Sequence, residues 1–439
     1  MDLYHPKYRD GRWEFTCADV PEWWKQAWYR RMYDLVTTYQ PAMMDTDDFG
    51  LPFPEYSIPL VAHYYNLKAK DKNCPRVALW TCRKAASGKG TVLMTEFGFP
   101  ANIRRYAWIR AECISQWAYN KTDDRDRSGD CLVATLVEIV SKGGNFLLSP
   151  AIKPDGTIAP LHVKALEGLG AWLRLNGESI YGTRPWRIFG EGPTDLSRKE
   201  IGQTLWKPDF RMKDDDIRFT SKGETLYAIC MGGPQQSVVV KSLGTAARLV
   251  DGKPSEIRLL GYEGKMECKQ ESEGLNITIP AEWNCRHMMV FAIKGFAPWD
   301  GDLRPDLNDV LVLGANEAKQ HGIHMHDRDS PDNRIWIEDW KDGTEWVSWD
   351  KVRLFASGEY EVTINGGGMR ADVPYCLQIG EKELTGNAPS AGGWGKGGVF
   401  PVGKITIEMA GVYPVALRAG ASENWGGLQI FNITLKRVQ

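Results

Sequence analysis

The hydrophobic period of this chain changes near Trp186, and that change limits what the chain can fold into. Before it, helical and extended segments alternate. Asp19 and Pro21 read as an N-cap and an early proline opening the helix "WWKQAWYRRMYDLVTTY". The short strand "AMMDTD" follows, and a polar segment leads to the extended runs "RVALWTCR" (76–83), "TVLMTEFG" (91–98) and "YAWIRAECI" (106–114). "GDCLVATLVEIVSK" (129–142) is helical, "NFLLSP" (145–150) a buried strand and "LHVKALEGLGAWLRL" (161–175) helical again, with Gly143, Gly144 and Gly177 where helices end. Such alternation predicts parallel α/β structure. After Trp186 come short alternating runs such as "TLYAICM", "SVVVKSL", "EIRLLGY", "LNITIPA" and "HMMVFAIKG", broken by Gly, Asp and Pro. These predict an antiparallel sandwich over 186–296. "GFAPWDGDLRPD" (295–306) reads as a linker, and a second all-β unit runs over 307–439.

At 439 residues the chain is long enough for two or three domains. Its net charge of −2 offers no basic face for nucleic acid and no reason to expect an anionic membrane as partner. No apolar run approaches the roughly 18 residues of a membrane span. The 18 Trp and 45 Gly suit a sugar-binding β protein, since an indole face packs on a pyranose, but Trp equally fills cores. The nine Cys form no CxxC pair, and His321, His324 and His326 in "HGIHMH" lack a fourth ligand at metal spacing. There is no phosphate loop and no nucleophile elbow, so neither metal nor cofactor is expected. Sequons stand at Asn120, Asn276 and Asn432.

The stretch "YQPAMMDTDDFG" (39–50) crowds Asp45, Asp47 and Asp48 at the end of a strand. Such a cluster is a solvated turn or an active-site carboxylate at the mouth of a barrel. In a (β/α)8 barrel the reactive groups sit at C-terminal strand ends. Asp47, Arg83 and Glu96 end three successive strands. A facing carboxylate pair is the apparatus of glycoside hydrolysis, one group as nucleophile and the other as general acid. Arg83 would hold a sugar hydroxyl, and Trp117 and Tyr119 in "SQWAYN" would line an apolar sugar face or pack the core.

At this point the residues resemble a known family. "LVEIVSKGGNFLLSPAIKPDGTI" (136–158) is similar to the segment "LVDIVSKGGNLLLNIGPxxDGTI" of the family 29 glycoside hydrolases, the α-L-fucosidases. "GAWLRLNGESIYGTRPW" (170–186) and "FGEGPT" (189–194) resemble the stretches that follow there. "MYDLVTTYQPAMMDTDD" resembles "ELVxxYxPDxLWFDG", which places the family's nucleophile on Asp47, and "VALWTCR" ends in its sugar-binding arginine, here Arg83. In this sequence Asp45 stands where relatives carry Trp, and "LLSPAIKPDG" replaces "LLNIGPxxDG".

The resemblance implies an exo-acting, retaining enzyme that removes terminal α-L-fucose from a fucosylated oligosaccharide or glycoconjugate. For the acid/base, Glu96 in "TEFG" is the first choice by its strand-end position, and Glu112 in "RAEC", which resembles a "WExC" motif of other members, is the second. It implies that residues 1–185 are the C-terminal part of a (β/α)8 barrel, followed by two β-sandwiches. The second (307–439) resembles jelly-roll, carbohydrate-binding-module-like domains through "WVSW", "SGEYEVTI", "GGWGKGG" and "GLQIFNITL". Trp346 and Trp349 are expected in its core. The family's first strands and its His-His-Asp-Gly segment have no counterpart here, so Met1 is read as an internal methionine of a truncated or split frame, and His5 receives no role. The expected location is extracellular or periplasmic by family resemblance, with no signal peptide at Met1. Two rivals stand: an inactive glycan-binding fragment, and a related enzyme for another sugar such as α-galactose.

Overall fold

The computed structural model describes residues 20–46, 51–70, 79–82, 91–96, 98–104, 107–116, 118–122, 127–198, 211–234, 236–283, 288–306, 308–322, 326–329, 335–338, 340, 343–393, 395–420 and 427–438. The chain divides into two compact units, Met1–Glu96 and Phe97–Gln439.

The first unit contains α1 (Glu22–Tyr39), β1 (Met43–Thr46), α2 (Pro54–Lys70), β2 (Leu79–Cys82) and β3 (Val92–Glu96). The strands are parallel neighbours, with Thr46 opposite Cys82 and Cys82 opposite Leu93. Met44 turns towards the helices and packs with Val36, Leu60, Val61 and Tyr64, whereas Met43 and Asp45 are exposed. Period-2 alternation therefore sets the acidic side chain Asp45 on the face away from the helices. Helix α1 starts after Pro21, whose carbonyl accepts from Trp24 and Lys25 and which makes no side-chain cap; the expected cap Asp19 lies outside the described residues. Helix α2 occupies part of what the sequence presents as a polar connection. Its buried positions Ser57, Leu60, Val61, Tyr64 and Lys68 carry the helical period, and Pro59 inside it masks the signal.

The second unit opens with β4 (Trp108–Cys113), α3 (Gly129–Ser141), β5 (Gly144–Ser149) and α4 (Pro160–Asn176). Strands β4 and β5 are parallel, with Trp108 opposite Gly144 and Cys113 opposite Ser149. Ser128 caps α3 by accepting from the Cys131 N–H. The glycine pair after α3 has two separate reasons. Gly143 takes the left-handed φ of 85° that ends the helix, and a Cβ on Gly144 would stand 2.5 Å from the Trp108 indole.

The next eight strands are β6 (Arg184–Glu191), β7 (Ile217–Lys222), β8 (Thr225–Cys230), β9 (Ser237–Val240), β10 (Gly252–Leu259), β11 (Cys268–Gln270), β12 (Leu275–Thr278) and β13 (Met289–Phe296). They form antiparallel sheets of order β10-β13-β8-β7-β6 and β11-β12-β9. The larger sheet is buried on both faces. Ala228, Cys230, Phe291 and Ile293 face the small sheet, while Tyr227, Ile229, Val290 and Ala292 pack against Val133, Val137, Trp172 and Leu173 of α3 and α4.

The last strands are β14 (Val310–Gly314), β15 (Lys319–His321), β16 (His326–Asp329), β17 (Ile335–Glu338), β18 (Trp346–Leu354), β19 (Gly358–Gly368), β20 (Val373–Ile379), β21 (Lys382–Ala388), β22 (Gly398–Ile407), β23 (Gly411–Ala419) and β24 (Leu428–Arg437). Two sheets, β16-β17-β24-β19-β22 with β14 on β24, and β15-β18-β23-β20-β21, enclose a core that includes Leu313, Ile337, Trp349, Val362, Leu377 and Ile433. Trp349 lies in this core as expected, its indole N–H donating to the Gly314 carbonyl. Trp346 does not: it stands on the opposite face, stacked on His321 at 3.6 Å and under the Arg418 guanidinium at 3.9 Å. His321 is thus engaged with an indole and with Ser348, and His324 lies outside the described residues.

The stretch read as a linker is a clasp. Asp302 within it is fully buried and pairs with Arg187 of β6 at 2.5 Å, Arg304 at 2.8 Å and Arg353 of β18 at 2.7 Å. Burial pushes its carboxyl up, but Arg353, Arg304 and Arg187 outweigh this and hold it well below the usual range.

Candidate active site

Strands β1, β2 and β3 run parallel, so their C-terminal ends lie along one edge. Asp47 is the residue after Thr46 and Arg83 the residue after Cys82, and these two strand ends stand opposite each other in register. Asp47, Arg83 and Trp117 themselves lie outside the described residues. Glu96 is the last residue of β3.

Glu112 belongs to the second unit, and its surroundings are those of a structural ion. In the β4–β5 register, Trp108, Arg110 and Glu112 share a face with Phe146 and Leu148. That face turns towards the helices, since Trp108 and Phe146 pack with Val133 and Val137 of α3, and Leu148 packs with Leu132 and Ala165. Arg110 meets one carboxylate oxygen of Glu112 at 2.5 Å and Arg127 meets the other. The two guanidiniums then reach out: Arg110 donates to the Gly98 carbonyl at 2.9 Å and lies over the Phe99 ring, and Arg127 donates to the Cys113 carbonyl at 3.0 Å. With both oxygens ion-paired and the helix layer around it, Glu112 is held as a buried structural anion. Burial depresses the Arg110 pKa against the pull of Glu112.

The opposite face of β4 and β5 carries Ile109, Ala111, Cys113, Asn145, Leu147 and Ser149, of which Asn145, Leu147 and Ser149 are exposed. Tyr119, in the loop beyond β4, is exposed as a sugar-facing ring would need to be. A second ion cluster went unseen in the sequence. Glu138 of α3, fully buried, meets Lys142 at 2.5 Å and Arg218 of β7 at 2.5 Å. Among the described residues no His, Cys, Asp and Glu side chains group as a metal site.

The family model for alpha-L-fucosidase matches residues 1–178, and that for the alpha-L-fucosidase C-terminal domain matches residues 212–294. Over these two stretches the chain matches the α-L-fucosidase family. It is 26% identical to tissue alpha-L-fucosidase of Mus musculus, over 57% of this chain and 51% of that protein. To the alpha-L-fucosidase of Branchiostoma floridae it is 24% identical, over 64% of this chain and 60% of the other. A solved alpha-L-fucosidase aligns with a TM-score of 0.49 and 26% identity, over 62% of this chain and 57% of that one. The chain therefore spans between half and two thirds of the length of these relatives. Within the α-L-fucosidase family model fall Asp47, Arg83, Glu96, Glu112, Trp117 and Tyr119 alike. The role of Arg110 and Arg127 was missed at the sequence level. Its signal is the alternation of Arg110 and Glu112 in an otherwise apolar strand, which puts opposite charges side by side on one face.

Proposed function

We propose that this chain carries the chemistry of a retaining, exo-acting α-L-fucosidase that removes terminal α-L-fucose from oligosaccharides or glycoconjugates. The observation that carries the reading is the match of the α-L-fucosidase family model over 1–178, laid on parallel strands whose ends adjoin Asp47, Arg83 and Glu96. The Asp47 carboxylate attacks the anomeric carbon, and the glycosidic bond breaks as Glu96 delivers its proton to the leaving oxygen. Glu96 then takes a proton from water, whose oxygen displaces Asp47 and frees fucose. A retaining pair of this kind stands about 5–5.5 Å apart. Arg83 binds a fucose hydroxyl, and Trp117 and Tyr119 offer aromatic faces to the sugar. The engagement of Glu112 by two arginines on the helix side favours Glu96 as acid/base.

In this reading residues 1–185 form the C-terminal part of a (β/α)8 barrel, 186–296 a β-sandwich, and 307–439 a jelly-roll, carbohydrate-binding-module-like domain. No helix among the described residues is long and apolar enough to cross a membrane, and by family resemblance the protein works outside the cell or in the periplasm. The test is turnover of an aryl α-L-fucoside beside aryl α-galactoside, with product anomer followed by NMR. Release of α-L-fucose as first product supports the reading, and inversion or preference for galactose overturns it.

A further inference from the structure

His162 stands in the first turn of α4 and is buried. Its Nδ1 accepts the Ala151 N–H at 3.1 Å, and its Nε2 lies 2.9 Å from the Ser115 hydroxyl. A ring nitrogen that accepts an amide N–H carries no proton of its own. The neutral ring therefore holds its proton on Nε2 and donates it to Ser115. This tautomer rules out a nucleophilic dyad, in which Nε2 would have to receive the hydroxyl proton. What it builds is a tie between two loops. Ser115 lies two residues past β4 and Ala151 two residues past β5, and these parallel neighbours end opposite each other at Cys113 and Ser149.

We propose that His162 is a positioning residue that locks the loop after β4 to the loop after β5, and so sets the rim on which the fucoside is held; this rests on the function proposed above. Each loop holds local hydrogen bonds among its described residues. Asn120 accepts from the N–H and hydroxyl of Thr122, and Asp155 does the same for Thr157. Ile152 and Ile158 close the second loop with a β-bridge. Hydrogen bonds within a loop fix its shape but leave its placement open, and His162 reaches both loops from a rigid helix. Loops at the C-terminal ends of parallel strands are where such folds build their pockets, so loosening them weakens the hold on the sugar rather than the chemical step.

The test compares the full chain with His162→Ala, His162→Asn, His162→Gln and Ser115→Ala. Amide exchange across 114–122 and 150–158, the histidine 15N shifts, and kcat and KM for an aryl α-L-fucoside are measured on each. In the native protein Nδ1 should show the shift of an unprotonated ring nitrogen. Loss of one buried hydrogen bond is worth about tenfold, so His162→Ala should raise exchange in both loops and KM by about that factor, with kcat nearly unchanged. Asn, which keeps an acceptor near the Nδ1 position, should spare the Ala151 loop; Gln, with a donor near Nε2, should spare the Ser115 loop. A protonated Nδ1, unchanged exchange in every variant, or loosened loops with native KM would each overturn the proposal. A native chain without turnover or L-fucose binding would overturn the fucosidase reading and with it the rim, while exchange and 15N shifts still decide the lock itself.

Discussion

Arg218 of β7 and Glu138 of α3, eighty residues apart in the chain, meet at 2.5 Å with both side chains buried. Lys142 completes the cluster and donates to the Pro100 carbonyl at 2.7 Å, while Arg218 also serves the Thr194 carbonyl at 3.1 Å. The ion therefore joins the α3 layer to the neighbouring sheet, beside the apolar contacts of Val133 and Val137 with Ile229 and Val290. Burial works against the charge on Glu138, but Lys142 and Arg218 overcome it and hold the carboxyl at about 2, below its ordinary 4.5.

Glu138→Gln is expected to cost about 3–5 kcal/mol in urea unfolding, because two cations would remain buried without their partner. The sign with pH follows from the depressed value. The stabilisation is complete above the unfolded pKa of about 4.5 and is lost as pH falls towards 2. The native protein should lose stability steeply over that window, and Glu138→Gln less steeply. An exposed pair such as Lys404 and Glu359, at 2.8 Å, is the control, and its removal should leave the urea midpoint nearly unchanged.

The strands of both sandwiches were legible because alternation is a local signal. "EYEVTI" places Tyr360, Val362 and Ile364 in the core two residues at a time. Helix α2 was not, since Pro59 interrupts a period otherwise carried by Leu60, Val61 and Tyr64. The candidate strand ends could be read from apolar runs stopping at charged residues. The facing of Glu112 could not, because it depends on where α3 and α4 pack, and no local pattern encodes that. The same holds for Asp302: its neighbours look like a linker, and its partners Arg187 and Arg353 lie 115 and 51 residues away.

Asp302→Ala should uncouple the two sandwiches. The arginines it gathers come from β6, the connecting stretch and β18, and truncation leaves Arg187 and Arg304 with their mostly buried side chains unpaired at that carboxylate. Calorimetry of the native chain is expected to show the sandwiches melting together, and the variant should show a separate, earlier transition. Limited proteolysis should then cut first within 297–306. A variant that melts as the native chain does would remove the clasp from this account.

Helices α3 and α4 cross where two glycines meet. A Cβ on Gly129 would lie 2.8 Å from the Gly168 Cα, and one on Gly168 would lie 3.0 Å from the Gly129 Cα, so backbone rather than a flexible side chain must give way. Gly129→Ala and Gly168→Ala should each cost about 1–3 kcal/mol. Gly170, two residues further along α4, meets only the Arg174 guanidinium at 3.6 Å. Gly170→Ala should therefore gain about 0.5–1 kcal/mol from helix propensity. Thermal melts of the three variants decide between crowding and a general intolerance of α4 to substitution.

The acid/base assignment makes the sharpest kinetic demand. A general acid matters most when the leaving group is poor, and its removal typically costs 10²–10⁴-fold. Glu96→Ala should lose activity on that scale towards a natural fucosyl disaccharide and much less towards a nitrophenyl fucoside, whose leaving group needs no proton. Glu112→Gln should behave otherwise. It removes the anion between Arg110 and Arg127 on the helix side, so it should lower stability by about 3–5 kcal/mol and reduce turnover of both substrates in the same proportion. Asp47→Asn should lose orders of magnitude on both, because no covalent intermediate can form without the nucleophile. If Glu112→Gln instead spares the nitrophenyl substrate while Glu96→Ala does not, Glu112 takes the acid's role and the helix-side reading of β4 is wrong. If Asp47→Asn keeps near-native turnover, the nucleophile moves to Asp45 or Asp48. Asp45 is then favoured, being exposed on the β1 face turned away from the helices.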